Sequence, residues 1–212
     1  MEKPQSIILA TRNPGKLAEM RAILGDIPVT IVGLDGYGHV PEPAETGSTF
    51  AENARDKALY YAAATAQWCL ADDSGLEVDA LDGEPGVLSA RYAWDSCPPS
   101  SDRQTIDAAN NAKLLNRLKD VDDEHRTARF VCHIALANPQ RVVIETFDTF
   151  EGRIGHDQAG KNGFGYDPLF YLSELGCTSA QLDPHHKNQI SHRGKAVRHF
   201  AALLKSFLTQ AS

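Results

Sequence analysis

Short apolar runs alternate with segments of helical periodicity along this chain of 212 residues. Ile7 to Ala10 has the length of a buried strand, and the segment 17–24 then places apolar residues at the spacing of one helix face. Further on, 128–137 and 141–150 are typical of two strands joined by a short turn at 138–140. Strands interleaved with helices predict an α/β fold.

The same patterns predict further elements and their ends. We expect a strand over Ile27 to Val32, and a short one over Trp68 to Ala71 that ends at the acidic pair following it. Capping boxes, which open helices, are expected at 49–52 and 101–104. Ser191 is expected to cap a last helix with one apolar stripe.

Length and composition limit the class of protein. The length suits one large domain or two lobes sharing a core, and we assign residues 1–212 to a single domain. No run approaches the roughly 20 apolar residues of a membrane helix, and the first apolar segment is too short for a signal peptide. We therefore expect a cytoplasmic protein with no membrane partner. The net charge of −7 argues against duplex nucleic acid as a partner.

The cysteines are scattered and show no Cys-x-x-Cys pair. This spacing predicts reduced thiols and makes a zinc site unexpected. The four are Cys69, Cys97, Cys132 and Cys177.

A first candidate site is the turn between the first strand and the first helix. A turn that leads into a helix offers free backbone N–H groups to a phosphate, and Lys16 adds a full charge. Asn13 is suited to cap this helix and Pro14 to begin it. An ordinary α/β turn with a surface lysine gives the same pattern. The residues of the candidate turn are Thr11, Arg12, Asn13, Pro14, Gly15 and Lys16.

A second candidate is the acidic pair Asp72 and Asp73, which precedes Ser74 and Gly75. Adjacent carboxylates repel one another unless a cation or hydrogen-bond donors compensate, and a divalent ion with oxygen ligands meets that need. Because neighbouring strand residues face opposite ways, we expect one acid to bind metal or activate water and the other to brace the loop. Glu45, in a preceding loop, is a possible second ligand, and a plain acidic turn remains the alternative.

A third candidate is the loop Phe164, Gly165, Tyr166 and Asp167. Glycines on both sides of Phe164 allow close backbone approach, and a ring held in such a loop can stack on a base. A packed turn aromatic is the alternative.

A fourth candidate is the basic stretch that contains Lys187, His192 and Arg193. Cations in the first turn of a helix oppose the helix dipole, and a bound anion or ring carbonyl would compensate for that cost. A solvated basic face is the alternative.

Five short segments, in this order, resemble one known family. The order and spacing are similar to those of the noncanonical purine nucleoside triphosphate pyrophosphatases, the inosine/xanthosine triphosphate pyrophosphatase family. A loop at 85–92 is also similar. The five segments are Ala10-Thr11-Arg12-Asn13-Pro14-Gly15-Lys16, Glu45-Thr46-Gly47-Ser48-Thr49-Phe50, Ala71-Asp72-Asp73-Ser74-Gly75-Leu76, Gly163-Phe164-Gly165-Tyr166-Asp167-Pro168 and Ser191-His192-Arg193-Gly194-Lys195-Ala196.

The resemblance implies a fold and an activity. The implied fold is α/β, an elongated, twisted, mixed sheet flanked by helices, with two lobes around a central cleft. The implied activity is Mg²⁺-dependent hydrolysis of ITP, dITP and XTP to the monophosphate and pyrophosphate, usually by a homodimer.

The resemblance also implies roles for single residues. Glu45 and Asp73 would bind Mg²⁺, and Asp73 would accept a proton from water. Ser74 and the turn 11–16 would contact substrate and its phosphates. The base would be held by Phe164, Gly165, Tyr166, Asp167, Lys187, His192 and Arg193.

Two positions depart from the family pattern. Arg12 stands where the family usually has a small residue, so it could contact phosphate or point to solvent. His185 and His186, which we expect in a loop, replace acids expected just before Lys187. A nucleotide pyrophosphatase with another base preference, and a nucleotide-binding module without catalysis, remain alternative interpretations.

Overall fold

The computed structural model describes residues 4–210, apart from the side chains at positions 14, 15 and 19. The described residues form an α/β structure with a mixed sheet, as the sequence predicts. The strands are β1 Ser6–Leu9, β2 Thr30–Val32, β3 Trp68–Val78, β4 Thr127–Asn138, β5 Arg141–Ile154, β6 Phe170–Leu172 and β7 Cys177–Thr178. The α-helices are α1 Pro14–Leu24, α2 Phe50–Thr65, α3 Arg103–Arg117, α4 Pro184–Ile190 and α5 His192–Gln210.

Within the described residues the strand order is β2-β1-β3-β4-β5-β6-β7. β1 runs parallel to both β2 and β3, whereas β6 is antiparallel to β5 and to β7. The described residues divide into two compact units. The first unit comprises 4–74, 132–148 and 192–210, and the second comprises 75–131 and 149–191.

The first unit has an apolar layer on each face of its strands. Ile7 and Leu9 of β1 pack with residues of α1 and α5, while Ile8 between them packs with α2. This is the alternation expected of a strand covered on both faces. On α5 the predicted stripe is confirmed, since Val197, Phe200 and Leu204 are buried and Phe207 packs against them.

The second unit has a core of its own. Leu76 and Val78 of β3 pack in it with Leu114 of α3, Phe130 of β4 and Phe170 of β6. Phe130 and Phe170 have ring centroids 4.6 Å apart.

Arg126 is buried in the second unit, where its guanidinium hydrogen-bonds backbone carbonyl oxygens. Its guanidinium donates to the carbonyls of Leu118 at 2.7 Å, Ile154 at 2.8 Å and Gly155 at 2.9 Å. Burial lowers the pKa of the guanidinium. The arginine thereby ties the end of α3 to the end of β5.

Several predicted boundaries are confirmed. The capping box at Thr49 and Glu52 is present, and α2 begins directly after it. β4 and β5 form the expected strand pair around 139–140. Within the described part of the chain, no helix is long and apolar enough to span a bilayer.

Four expectations are wrong. β2 begins at Thr30 and not at Ile27, because the backbone N–H groups of Ile27 and Val29 bond within the turn after α1. β3 does not end at Ala71 but continues to Val78, because Leu76 and Val78 continue the buried alternation. The cap of α3 is Asp102, which accepts from Thr105 N, and not a capping box that starts at Ser101. His185 and His186, expected in a loop, lie in α4, which Asp183 caps and which begins at Pro184.

Candidate active site

The turn before α1 has the predicted cap. Asn13 Oδ1 accepts a hydrogen bond from Lys16 N at 3.3 Å, and Thr11 Oγ1 accepts one from Asn13 N at 3.1 Å. The helix begins at Pro14, as expected, although the surroundings of Pro14 and Gly15 lie outside the described part of the structure. The turn therefore holds the backbone at the start of α1 and places Lys16 in the first turn.

Lys16 projects onto the first acid of the pair. Its Nζ donates to Asp72 Oδ2 at 2.8 Å, and Arg193 Nε lies 3.6 Å from the same oxygen. Ser74 Oγ also donates to this oxygen, at 3.0 Å. Burial alone would raise the pKa of Asp72, but the charges of Lys16 and Arg193 outweigh it and hold the pKa below its ordinary value.

Asp73 has different neighbours. Its Oδ2 accepts from Asn53 Nδ2 at 2.9 Å, and its Oδ1 accepts from Ser74 N at 3.0 Å. Burial raises the pKa of Asp73, and the charge of Glu45 adds to that rise against the opposing effect of the Asn53 hydrogen bond. The two acids therefore differ in environment, as the alternation of a strand predicts. They lie within β3 rather than beyond its end.

Glu45 forms an ion pair with Lys57, a residue of α2. Burial lowers the pKa of Lys57, but the charges of Glu45, Asp72 and Asp73 more than reverse this, and the net shift is upward. The loop that carries Glu45 is also tied to Asn53, whose Oδ1 accepts from Gly47 N at 2.8 Å. Asn53 thus connects this loop to Asp73 through one amide group.

Sequence reasoning missed Asn53 and Lys57. They stand four residues apart on α2 and are 2% and 9% exposed, beside the buried Ala54 and Ala58. Two polar residues at helical spacing on the apolar face of a helix are a readable signal, because a buried polar group needs a partner. The partners themselves could not be read from the sequence.

Arg12 is exposed, as one of the two expectations has it, and it also contacts the protein. One guanidinium nitrogen donates to Val40 O at 3.0 Å, and the guanidinium also hydrogen-bonds the Tyr61 hydroxyl. The side chain therefore connects the turn before α1 to the loop after β2. This contact is with the chain itself, and a phosphate contact by Arg12 stays a prediction.

The first turn of α5 contains two buried basic residues, His192 at 7% and Arg193 at 5% exposure. We expected an anion to offset the cost of cations at this helix end. Part of the compensation comes from the chain, because the Asp72 carboxylate lies beside Arg193. The predicted contact of these residues with a base stays a prediction.

Glu45 and Asp73 are the carboxylates expected to hold Mg²⁺. They are near enough for the charge of Glu45 to raise the pKa of Asp73. Among the described residues, no group of three or more His, Cys, Asp or Glu side chains could hold a metal ion. Mg²⁺ in phosphoryl-transfer sites is commonly bound through one or two carboxylates together with water and substrate phosphates. Two mutually repelling carboxylates fit such an ion.

In the second unit, Asp167 organises the glycine loop around Phe164. Its Oδ2 accepts from Phe164 N at 2.8 Å and pairs with Lys187 Nζ, and its Oδ1 accepts from Ser179 Oγ at 2.9 Å. The Phe164 ring is 39% exposed, with Lys187 Nζ 5.6 Å from its centroid. An exposed ring with a cation beside it can accept a flat, polarisable ligand.

Gly163 and Tyr166 support this loop in different ways. Gly163 has φ +77°, and a Cβ at this position would lie 2.0 Å from Asp167 Oδ2. The Tyr166 ring is 3% exposed and its hydroxyl donates to Ser89 O at 2.9 Å. The hydroxyl of Tyr166 therefore contacts the protein interior, and a contact of this residue with the base stays a prediction.

Comparison with known proteins agrees with the motifs. A model of the Ham1 family matches residues 7–203. The dITP/XTP pyrophosphatase of Exiguobacterium sibiricum is 50% identical over 202 residues, 95% of this chain and 98% of that protein. The dITP/XTP pyrophosphatase of Nitratidesulfovibrio vulgaris is 48% identical over 202 residues, 95% and 97% of the two chains.

A solved structure gives the same result for the fold. The HAM1 protein from Coxiella burnetii matches with a TM-score of 0.85 at 42% identity, covering 95% of this chain and 98% of that one. The family resemblance drawn from the five motifs is therefore confirmed. Since the family model and these relatives span nearly all of its length, the chain belongs to the Ham1 family.

Proposed function

We propose that this protein hydrolyses noncanonical purine nucleoside triphosphates, namely ITP, dITP and XTP, to the monophosphate and pyrophosphate in a Mg²⁺-dependent reaction. The observation that carries the proposal is the contrast between two neighbouring acids. Asp72 is paired with Lys16 and Arg193, whereas Asp73 accepts hydrogen bonds from Asn53 Nδ2 and Ser74 N and has a raised pKa. Relatives named dITP/XTP pyrophosphatase at 50% and 48% identity support the activity, a hydrolysis of nucleoside triphosphates.

Asp73 is the proposed proton acceptor for the attacking water. Burial and the charge of Glu45 raise the pKa of Asp73 when no cation is bound, and Mg²⁺ would offset both effects and leave the carboxylate ionised to accept a proton. Asn53 and Ser74 N hold its two oxygens by hydrogen bonds, so the group has a fixed orientation. A carboxylate held in one orientation can accept the proton of a water molecule bound next to it.

The triphosphate chain is proposed to lie at the start of α1. The backbone N–H groups of a helix N-terminus favour an anion, and Lys16 adds a positive charge there. Asp72 holds the Lys16 ammonium by a 2.8 Å contact, which limits the positions that this side chain can adopt. Lys57, with its raised pKa, keeps a second positive charge beside the carboxylates.

Mg²⁺ held by Glu45 and Asp73 would neutralise phosphate charge and stabilise the leaving pyrophosphate. The ion pair of Glu45 with Lys57 holds the Glu45 carboxylate beside α2, the helix that also carries Asn53.

The base is proposed to stack on Phe164, with Lys187 beside the ring. Hypoxanthine and xanthine carry an acceptor oxygen at C6, where adenine carries an amino donor. Donors on His192 and Arg193 would pair with that oxygen, whereas adenine would place a donor against a donor. We also propose that the protein acts as a homodimer in the cytoplasm.

The proposal is tested by incubating the purified protein with Mg²⁺ and, separately, ITP, XTP, GTP and ATP. Pyrophosphate and orthophosphate are quantified for each, with Asp73→Asn as the inactive control and Asp56→Asn, an exposed acid on α2, as the matched control. We expect pyrophosphate from ITP and XTP, little from GTP or ATP, and a loss of about 10²–10⁴-fold in the Asp73 variant. No turnover, or orthophosphate as the first product, would overturn the proposal.

A further inference from the structure

The loop that presents Phe164 is held by side chains of α3 as well as by Asp167. Gly165 N donates to Asp107 Oδ2 at 3.0 Å, and Gly165 O accepts from Asn111 Nδ2 at 3.1 Å. Asp107 and Asn111 are four residues apart on α3 and therefore project from the same face of the helix. The backbone N–H and C=O of Gly165 are therefore both hydrogen-bonded by side chains on one face of α3.

These hydrogen bonds act on a loop whose glycines restrict its backbone dihedral angles very little. Gly165 has φ +61° and Gly163 has φ +77°, so glycines in the left-handed region stand on both sides of Phe164. Glycine is free to adopt many other conformations, so the native path of this loop must be fixed by contacts. With Phe164 N on Asp167, three backbone groups around the ring are bound by side chains.

The Asp107 carboxylate also has an ion pair on its own helix. Arg103, one turn before Asp107 on α3, lies 2.9 Å from Asp107 Oδ1, but the two atoms do not have the geometry of a hydrogen bond. Because the Arg103 side chain is 56% exposed, this pair adds little, and the contact with Gly165 N depends on Asp107 Oδ2 itself.

Asn111 does not look like a residue selected for stability. It is 3% exposed, and its Oδ1 has no hydrogen-bond partner among residues 4–210. A buried acceptor in that state costs free energy that one hydrogen bond to Gly165 does little more than offset. An apolar residue would pack there without that cost, so the benefit of the asparagine is the position of Gly165.

From these contacts we propose that Asp107 and Asn111 are positioning residues, which fix the Gly165 peptide groups and so hold the Phe164 ring ready to stack on the substrate base. The inference rests on the proposed function. A ring held in place before binding loses less conformational freedom when the base arrives. The hydrogen bonds from Asp107 and Asn111 therefore strengthen binding of the base and leave phosphate binding unchanged.

The test separates the base from the phosphates. For wild type and variants we measure KM for ITP and the competitive inhibition constant of tripolyphosphate, which has no base. Asn111→Leu removes the amide at nearly constant volume, and we expect KM for ITP to rise about tenfold with the tripolyphosphate constant unchanged. Phe164→Ala is expected to give the same pattern.

Two controls distinguish positioning from folding. Asp107→Asn keeps an acceptor for Gly165 N and should retain most of the wild-type KM, whereas Asp107→Leu should not. Leu114→Ala removes a fully buried residue of the same helix and should lower the melting temperature without changing the ratio of KM to the tripolyphosphate constant.

The outcomes separate the two proposals. The positioning role alone is overturned if the wild type is active but its Asn111 and Asp107 variants keep the wild-type KM. It is also overturned if these variants lose affinity for tripolyphosphate as much as for ITP. If Asn111→Leu does not fold, the difference in KM between Asp107→Asn and Asp107→Leu tests the positioning role instead. A wild type that releases no pyrophosphate from any triphosphate overturns the proposed function instead.

Discussion

Asp72 and Asp73 are consecutive in β3, yet their pKa values shift in opposite directions. Asp72 accepts from Lys16 and lies beside Arg193, whereas Asp73 accepts from the neutral amide of Asn53 and from Ser74 N. Adjacent strand residues face opposite ways, so each carboxylate meets different partners. One acid is thereby stabilised in its charged form while the other is made more basic.

The pKa of Asp72 predicts how stability depends on pH. Because its folded pKa is below the unfolded value of about 3.9, its ionised form stabilises the fold above that pH, and this contribution is lost as pH falls from about 3.9 toward the folded pKa. We expect Asp72→Asn to be less stable than wild type at pH 7, and the difference to shrink below pH 4. Urea unfolding at several pH values, with a chelator present, measures it. A difference that stays constant with pH would contradict the assignment.

The ion pair of Glu45 with Lys57 predicts strong coupling between the two residues. Their side chains are 25% and 11% exposed, so removing one charge leaves the other poorly compensated. We expect Lys57→Met to cost about 2 kcal/mol, and the double variant with Glu45→Gln to cost less than the sum of the single changes. Additive free energies of unfolding in a double-mutant cycle would show that the pair is not coupled.

The two glycines that flank Phe164 are expected to differ in tolerance. Gly165→Ala meets no atom within 4 Å and should cost only the left-handed backbone penalty, about 1–2 kcal/mol. Gly163→Ala adds a Cβ 2.0 Å from Asp167 Oδ2, so Asp167 must move away from Phe164 N and Lys187. We expect a larger loss of stability and a higher KM for ITP in Gly163→Ala. Equal effects of the two changes would contradict this account.

Arg126 is expected to stabilise the fold through contacts that involve none of the candidate site residues. Arg126→Met leaves the carbonyls of Leu118, Ile154 and Gly155 without this donor in a buried position, which should cost about 3 kcal/mol. Arg117→Met, which removes an exposed ion pair with Glu84, should cost less than about 1 kcal/mol. Chemical unfolding of both variants gives the comparison, and similar losses would argue against a structural role for Arg126.

The sequence alone determined the elements whose signals are local. The capping box at Thr49 and the strand pair around 139–140 were read correctly, as was the apolar stripe of α5. In each case the interacting residues are close in sequence, so periodicity and capping chemistry are enough. The five ordered motifs identified the family for the same reason, because each motif is a short local pattern.

Only the tertiary structure decided which side chains meet. Lys16 contacts Asp72 across 56 residues, Arg12 contacts Val40 across 28, and Asn111 contacts Gly165 across 54. The tertiary structure also decided that β3 continues beyond the acidic pair to Val78, because Leu76 and Val78 pack against residues far along the chain. Such contacts depend on how the strands and helices pack, and a single sequence shows only that a buried polar residue needs a partner, not which one it has.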